Sequence, residues 1–511
     1  MAMWRSTVLK AVLFGGALTS VVLVSPTFAA APENAPGIIQ PLADGDEPIV
    51  VTQHVVNTVH GPLRYEARAG RLAIRDAETG EVRAHIFFVA YVARTKDGKK
   101  RPLTFVWNGG PTASAMTLES QALGPRRITN DGFVDNAETL LSSSDLVFYD
   151  PIETGFSRPA KPEFAKEFLT VLGDFAETTE FIRGYRAKFT SQEQPLFLLG
   201  ESYGTWRASG VAEMMAKRGE AIAGVILISG GVPGSLMPPQ FQDAMYVPAR
   251  TAAAFAQGRL APDLMKNRDE TMRELNAWIK STYLPALEHL DTLSPAQRDA
   301  IAVQLARYIG VKPELIDRKT LVMSNLEYRK AAYGSDRALM LDTYDMRIKG
   351  PVPHLQNSRA SISHYLRVEL GYATDLTYEG EDEEGYTAVG QKRRTTWDQF
   401  VYDHTTITPE SMARMKAGAG PPLSQPWIQN AMKLEPDMHV FVGAGRYDSL
   451  NMCEGNEIMA SKPEPSVAAR FETHCYEGGH MMYHDEATRL KISEDLASFF
   501  ARTESQAHAK P

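Results

Sequence analysis

The sequence predicts an α/β fold: a mostly parallel sheet with helices on both faces, antiparallel strands along its N-terminal side, and a helical cap insertion. Three observations carry that prediction. Short apolar runs recur at Leu103–Trp107, Leu146–Tyr149, Leu196–Leu199, Val225–Ile228, His439–Gly443 and Phe471–Tyr476, and continuous apolar runs suit strands covered on both faces. Between them Phe175, Ile182, Tyr185 and Phe189 hold a helical period, as do Trp206, Val211, Met214 and Met215. The rhythm of strand and helix stops near Pro233 and resumes at His439, leaving a block rich in Ala, Met and Leu, which reads as an insertion above the sheet.

The elements follow in chain order. Arg5 and Lys10 precede an apolar stretch from Ala11 to Val24, and small residues then offer cleavage after Ala29 or Ala31. That is the pattern of a secretory signal peptide over 1–29, and the apolar stretch is short for a membrane span. An uncleaved anchor is the competing reading. The mature chain is expected to be exported, periplasmic or secreted, with no stable membrane insertion after cleavage. Residues 30–48, with Pro, Gly and acids, read as a linker. The first part of the core spans 49–232 and opens β-rich: Leu72–Arg83 has strand-like flanks around a Gly-containing turn, and His85–Ala93 continues with Phe, Val and Tyr. The cap insertion covers 233–435, the second part of the core 436–503, and a tail 504–511. Within the cap, the acidic run Glu379–Glu384 and the basic run Lys392–Arg394 read as a solvated face or a hairpin tip.

Size and charge narrow the function classes. At 511 residues the chain exceeds the roughly 250–300 residues at which single cores stop growing, so one large domain with an insertion, or two domains, is expected. Hydrophobic residues make up 43%, enough for a large core. A net charge of −8 is the wrong sign for a nucleic-acid footprint, so no such partner is expected. Oligomeric state leaves no trace in the sequence.

The chemistry centres on Pro195-Leu-Phe-Leu-Leu-Gly-Glu-Ser-Tyr-Gly-Thr205. An apolar run ends in Gly-x-Ser-x-Gly and an amphipathic segment follows, the strand–elbow–helix setting of a serine nucleophile. Ser202 is the candidate. A serine hydroxyl needs a base, and the base needs an acid to orient it. Val440-Phe-Val-Gly-Ala-Gly-Arg-Tyr-Asp448 puts a carboxylate just past a strand, and His474-Cys-Tyr-Glu-Gly-Gly-His480 puts an imidazole in the next loop. Asp448 read as a turn residue, or His480 as a surface histidine, are the bland alternatives. His480 and His484 lie four apart without the glutamate of a metalloprotease helix, so no metal and no cofactor are expected.

Trp107-Asn-Gly-Gly-Pro111 follows a strand, where a glycine lets backbone approach a substrate oxygen. Gly110 and Tyr203 are the candidate amides of an oxyanion hole. Cys453 and Cys475, the two cysteines, flank Asp448 and His480 at five residues each. A disulfide between them would tie the two loops together; two buried thiols are the alternative.

These residues resemble the serine carboxypeptidases of the α/β-hydrolase superfamily, bacterial members especially. Four motifs carry the likeness: Trp107-Asn-Gly-Gly-Pro111, Asp150-Pro-Ile-Glu-Thr-Gly-Phe-Ser157, Gly200-Glu-Ser-Tyr-Gly204, and the Asp448 and His480 loops. The resemblance implies an α/β-hydrolase fold and removal of single residues from a peptide C-terminus through an acyl-enzyme. It puts Asn108, Gly109, Glu201 and Gln121 in the substrate-binding site, with Asn108 and Glu201 on the terminal carboxylate. A protonated Glu201 suits that role, since a neutral acid donates to a carboxylate where an ionised one repels it. Several positions depart from the family pattern. Where eukaryotic members carry a second glutamate before Gly124-Pro125, this chain has Gln121 or Ala122, with Glu119 out of register, so the family's acid-pH preference does not carry over. Thr112, Ala115 and Glu153 also depart from it.

Two other function classes remain compatible. An esterase or acyltransferase uses the same three residues on a different acyl donor, and a non-catalytic envelope binding protein keeps the scaffold alone. Preference for a free C-terminus over an amide or a simple ester separates the first from a carboxypeptidase.

Overall fold

The structure, a computed structural model, describes residues 37–39, 46–94, 100–231, 238–334, 339–350, 358–379, 399–402, 409, 413 and 425–508. The expected signal segment 1–29 lies outside these residues, as do both charged runs apart from Glu379. The chain from Pro36 onward forms one compact unit.

The sheet opens with β1 (Gly37–Ile39), β2 (Ile49–Thr58), β3 (Gly61–Arg75) and β4 (Val82–Ala93), all paired antiparallel. Then come β5 (Leu103–Trp107), the separate hairpin β6 (Arg126–Thr129) and β7 (Gly132–Asp135), β8 (Asp145–Tyr149) and the short β9 (Arg158–Pro159) on β4. The last strands are β10 (Leu196–Glu201), β11 (Gly224–Ile228), β12 (His439–Gly445) and β13 (Phe471–Tyr476). The order across the sheet is β1-β2-β3-β4-β8-β5-β10-β11-β12-β13. From β8 to β13 every pairing is parallel. This is an α/β-hydrolase architecture, with the antiparallel strands gathered on one side.

Burial on both faces explains the apolar runs. Leu103, Phe105, Trp107, Leu196, Leu198, Val225, Leu227, Val440 and Val442 face one core cluster. Their neighbours Val106, Phe197, Leu199, Ile226, Ile228 and Phe441 face the other. Such period-two alternation inside an all-apolar strand is what two covering layers demand. Helix Val171–Lys188, started by the Thr170 hydroxyl accepting from Gly173 N, covers the first face with helix Gly204–Lys217. The C-terminal helix Glu486–His508 buries Ile492, Leu496, Phe499 and Phe500 against the second.

Three sequence boundaries shift. The linker 30–48 contains β1, where Gly37, Ile38 and Ile39 pair with Val51, Val50 and Ile49; two β-branched residues suit an added edge strand. The tail from 504 is the continuation of the C-terminal helix, which runs to His508. Helix Trp427–Leu434, placed inside the cap insertion, is a layer of the core. The Trp427 ring packs edge-on against Phe175 (5.0 Å) and Trp206 (5.8 Å), so its apolar face pays for burial on the sheet side rather than above it.

Strand order reverses at β5, with β8 on one side and β10 on the other. Crevices outside the carboxyl ends of strands at such a switch are where open α/β sheets bind ligands. The loops after β5 and β10 carry Asn108–Pro111 and Ser202.

Candidate active site

Ser202 directly follows β10 and holds φ at 58°, a conformation that costs a non-glycine residue on the order of 1–3 kcal/mol. Local bonds hold it there. Its N–H donates to the Ile228 carbonyl (2.9 Å), and its own carbonyl accepts the Thr205 N–H (2.9 Å) and hydroxyl (2.7 Å). The Thr205 contacts open helix Gly204–Lys217, whose N-terminus favours negative charge near the serine.

The loop after β5 lies against this elbow. A Cβ on Gly109 would fall 2.6 Å from Tyr203 N and 2.8 Å from Ser202 Cβ, so only glycine fits. Gly110 has φ +97°, the left-handed side that glycine tolerates. Among the described residues, neither the Gly110 nor the Tyr203 amide donates to a protein acceptor. Two neighbouring, unspent N–H groups beside a half-exposed serine are the elements of an oxyanion site.

Asp448 lies just past β12 and His480 just past β13. His480 Nδ1 and Asp448 Oδ2 are 2.7 Å apart, and the two residues are 4% and 0% exposed. Asp448 Oδ1 accepts the Leu450 N–H at 2.8 Å. The His480 N–H donates to the Tyr344 carbonyl at 2.6 Å. Ser229, at the end of β11, stitches the loops: its N–H donates to Gly443 O (2.8 Å) and its hydroxyl to the His480 carbonyl. Ser202, Asp448 and His480 thus each lie just past the carboxyl end of a parallel strand, β10, β12 and β13 respectively. Cys453 and Cys475 form a disulfide, Cα atoms 5.5 Å apart, between the segments that follow Asp448 and precede His480.

Glu201 is buried beside the serine at 3% exposure. Tyr483 donates its hydroxyl to Oε1 at 2.8 Å and Asn108 its amide to Oε2. Asn108 Oδ1 in turn accepts the Leu118 N–H at 3.0 Å. Burial pushes the Glu201 carboxyl upward; His480 and the two donors pull the other way. Gln121 is more open, its Oε1 2.7 Å from His484 Nε2. Glu119 turns inward from the π-helical turn Glu119–Leu123 and accepts from Tyr91 at 2.7 Å. Burial pushes it up to about 8, with Asp150 adding to the rise.

Several residues of the site gave no motif. Arg207 is fully buried, pairs with Asp174 at 2.8 Å, and donates to the carbonyls of Asn108 (3.0 Å) and Pro111 (3.1 Å). It clamps the glycine loop to the helix behind the serine. Burial works against its charge, but Asp174, together with Tyr149 and Tyr203, more than offsets this and holds the guanidinium above its ordinary value. An arginine five residues after the serine, in an otherwise apolar stretch, was the available signal. Asn451 and Tyr344 come from loops whose convergence no local pattern encodes.

The serine carboxypeptidase family model matches residues 59–272, a span containing the glycine loop, Ser202 and Arg207. Over those residues the chain is similar to the serine carboxypeptidases. Serine carboxypeptidase-like 8 from Arabidopsis thaliana is 26% identical over 155 residues, 28% of this chain and 33% of that protein. Pheromone-processing carboxypeptidase KEX1 from Ajellomyces capsulatus is 27% identical over 171 residues, 31% of this chain and 26% of its own length. The chain thus spans about a third or less of these curated serine carboxypeptidase relatives. Among solved structures, a prohormone-processing carboxypeptidase from Saccharomyces cerevisiae is 16% identical with a TM-score of 0.45, covering 86% of this chain and 91% of that one. Asp448 and His480 lie outside the family-matched span, and their placement rests on the geometry above.

Proposed function

We propose that the protein is an exported serine-type carboxypeptidase that removes C-terminal residues from peptides through an acyl-enzyme. His480 takes the proton of Ser202 as its oxygen attacks the terminal peptide carbonyl. Asp448 fixes the imidazole by accepting its Nδ1–H and stabilises the charged ring. The Gly110 and Tyr203 amides receive the developing oxyanion; each such donor is typically worth about 2.7–4 kcal/mol. His480 then protonates the leaving amine, and water enters by the same route. No step calls for a cofactor.

The observation that carries the reading is the Glu201–Asn108 pair beside the serine. An amide and a buried acid kept toward its neutral form present donors to a terminal carboxylate, which an ester substrate does not possess. Export is supported by the N-terminal signal pattern and by the Cys453–Cys475 disulfide, a bond that persists in oxidising compartments.

The test compares a blocked dipeptide with a free C-terminus, its amide, and a simple ester. The free acid is expected to be cut at least tenfold faster than the amide, and Ser202→Ala to abolish turnover while substrate still binds. Equal rates on acid and amide would refute carboxylate recognition, and an active Ser202→Ala variant would refute the nucleophile.

A further inference from the structure

Asn451 stands three residues beyond Asp448. Its Nδ2 lies 2.5 Å from Asp448 Oδ2, 2.7 Å from the Ser229 carbonyl and 3.3 Å from His480 Nδ1. Two acceptors at hydrogen-bond distance fix which end of the amide points inward, because an oxygen there would face two oxygens. Its two N–H groups are therefore spent, one on the carboxylate and one on the end of β11. We propose that Asn451 is a positioning residue of the Ser202–His480–Asp448 group, bridging Asp448 to Ser229 and so setting both the direction and the basicity of the carboxylate that holds His480. The inference rests on the proposed roles of those three residues.

The physical reasoning concerns one oxygen. Asp448 Oδ2 takes the bond from His480 Nδ1 and also one from Asn451; Oδ1 takes Leu450 N–H. Without Asn451, Oδ2 keeps only the imidazole bond, and the carboxylate loses its tie to Ser229 while Oδ1 still holds Leu450 N–H. Ser229 also donates its hydroxyl to the His480 carbonyl, so the bridge fastens Asp448 and His480 to the same strand end. Charge follows geometry here. A donor on a buried carboxylate disperses its negative charge, and removing that donor strengthens the pull on an imidazolium. The groups facing His480 are Asp448 from the β12 loop, Glu201 from the end of β10, and the Tyr344 ring from the cap at 5.2 Å. None of them replaces the lost donor.

Asn451→Leu keeps the number and branching of the side-chain heavy atoms and removes both donors. The readout is the rate of fluorophosphonate labelling against pH, which needs the serine, imidazole and carboxylate but no peptide. Labelling at the plateau is expected to fall about 10- to 100-fold, and the midpoint of the acid limb to move up by about half a pH unit or more. In peptide assays the loss should fall on kcat rather than KM. An unmoved acid limb with a reduced plateau would mean a purely structural role, and an unchanged plateau would mean none; either overturns the proposal. Should Asn451→Leu fail to fold, Asn451→Ser, whose hydroxyl is too short to bridge, is judged by the same criteria. Wild-type protein that does not label at all refutes the reading of the three residues instead.

Discussion

Replacing Arg207 with methionine separates what the buried ion pair does for stability from what it does for chemistry. The side chain is 0% exposed and its partner Asp174 4%. Its Nε lies 2.9 Å from both Asp174 oxygens, and its two Nη atoms reach the carbonyls of Asn108 and Pro111. Deleting one member of such a pair leaves an uncompensated buried charge and costs about 3–5 kcal/mol. Asp174→Asn added to Arg207→Met removes that charge and is expected to return about 2–3 kcal/mol, since the two carbonyls still lack donors. Activity should not return with it. The loop carrying Gly110 has lost its clamp, and a small misplacement of a group at the reacting centre costs on the order of 100-fold. Urea denaturation gives the stabilities, and kcat on a peptide with a free C-terminus gives the chemistry. A double variant that regains full kcat would refute the clamp; a single variant as stable as wild type would refute the buried pair.

Two further perturbations read other parts of the structure. Glu119 is pushed up to about 8 and Asp150 to about 7, burial being the main cause in each. The folded protein holds these protons more tightly than the unfolded chain, so their contribution is full below about pH 4 and is lost as pH rises toward 7 and 8, by up to about 1.4 kcal/mol per unit for each group. Glu119→Gln should therefore flatten the fall in urea midpoint between about pH 5 and pH 8.5, and parallel profiles for variant and wild type would contradict the burial argument. The disulfide closes a loop across a sequence separation of 22, worth about 3 kcal/mol in chain entropy. Cys453→Ser with Cys475→Ser should lower the denaturation midpoint accordingly, while an unchanged midpoint would show that the loop is already ordered without it.

Much of this arrangement was written in local patterns. The strands of the parallel half were legible because burial on both faces leaves an unbroken apolar run, as in Leu103–Trp107. Ser202 was legible because an elbow after such a run demands glycine on both sides. β1 escaped notice because three residues beside Pro and Gly give no periodicity, and helix Trp427–Leu434 because packing on the core rather than over it is decided by distant partners such as Phe175. The second acid shows the same limit. Counting along the chain places Gln121 or Ala122 before Gly124, but the π-helical turn rotates the side chains so that Glu119 goes to Tyr91 while Tyr483, from another loop, reaches Glu201. Arg207 signalled a buried cation without naming its carbonyl partners. Contacts between loops depend on where the sheet brings them, and that information is spread over hundreds of residues.

Fluorophosphonate labelling followed by peptide mapping tests the central claim most directly. The account predicts a single adduct on Ser202 that is lost in His480→Ala and strongly reduced in Asp448→Ala. An adduct on another serine, or undiminished labelling without the imidazole, would contradict it.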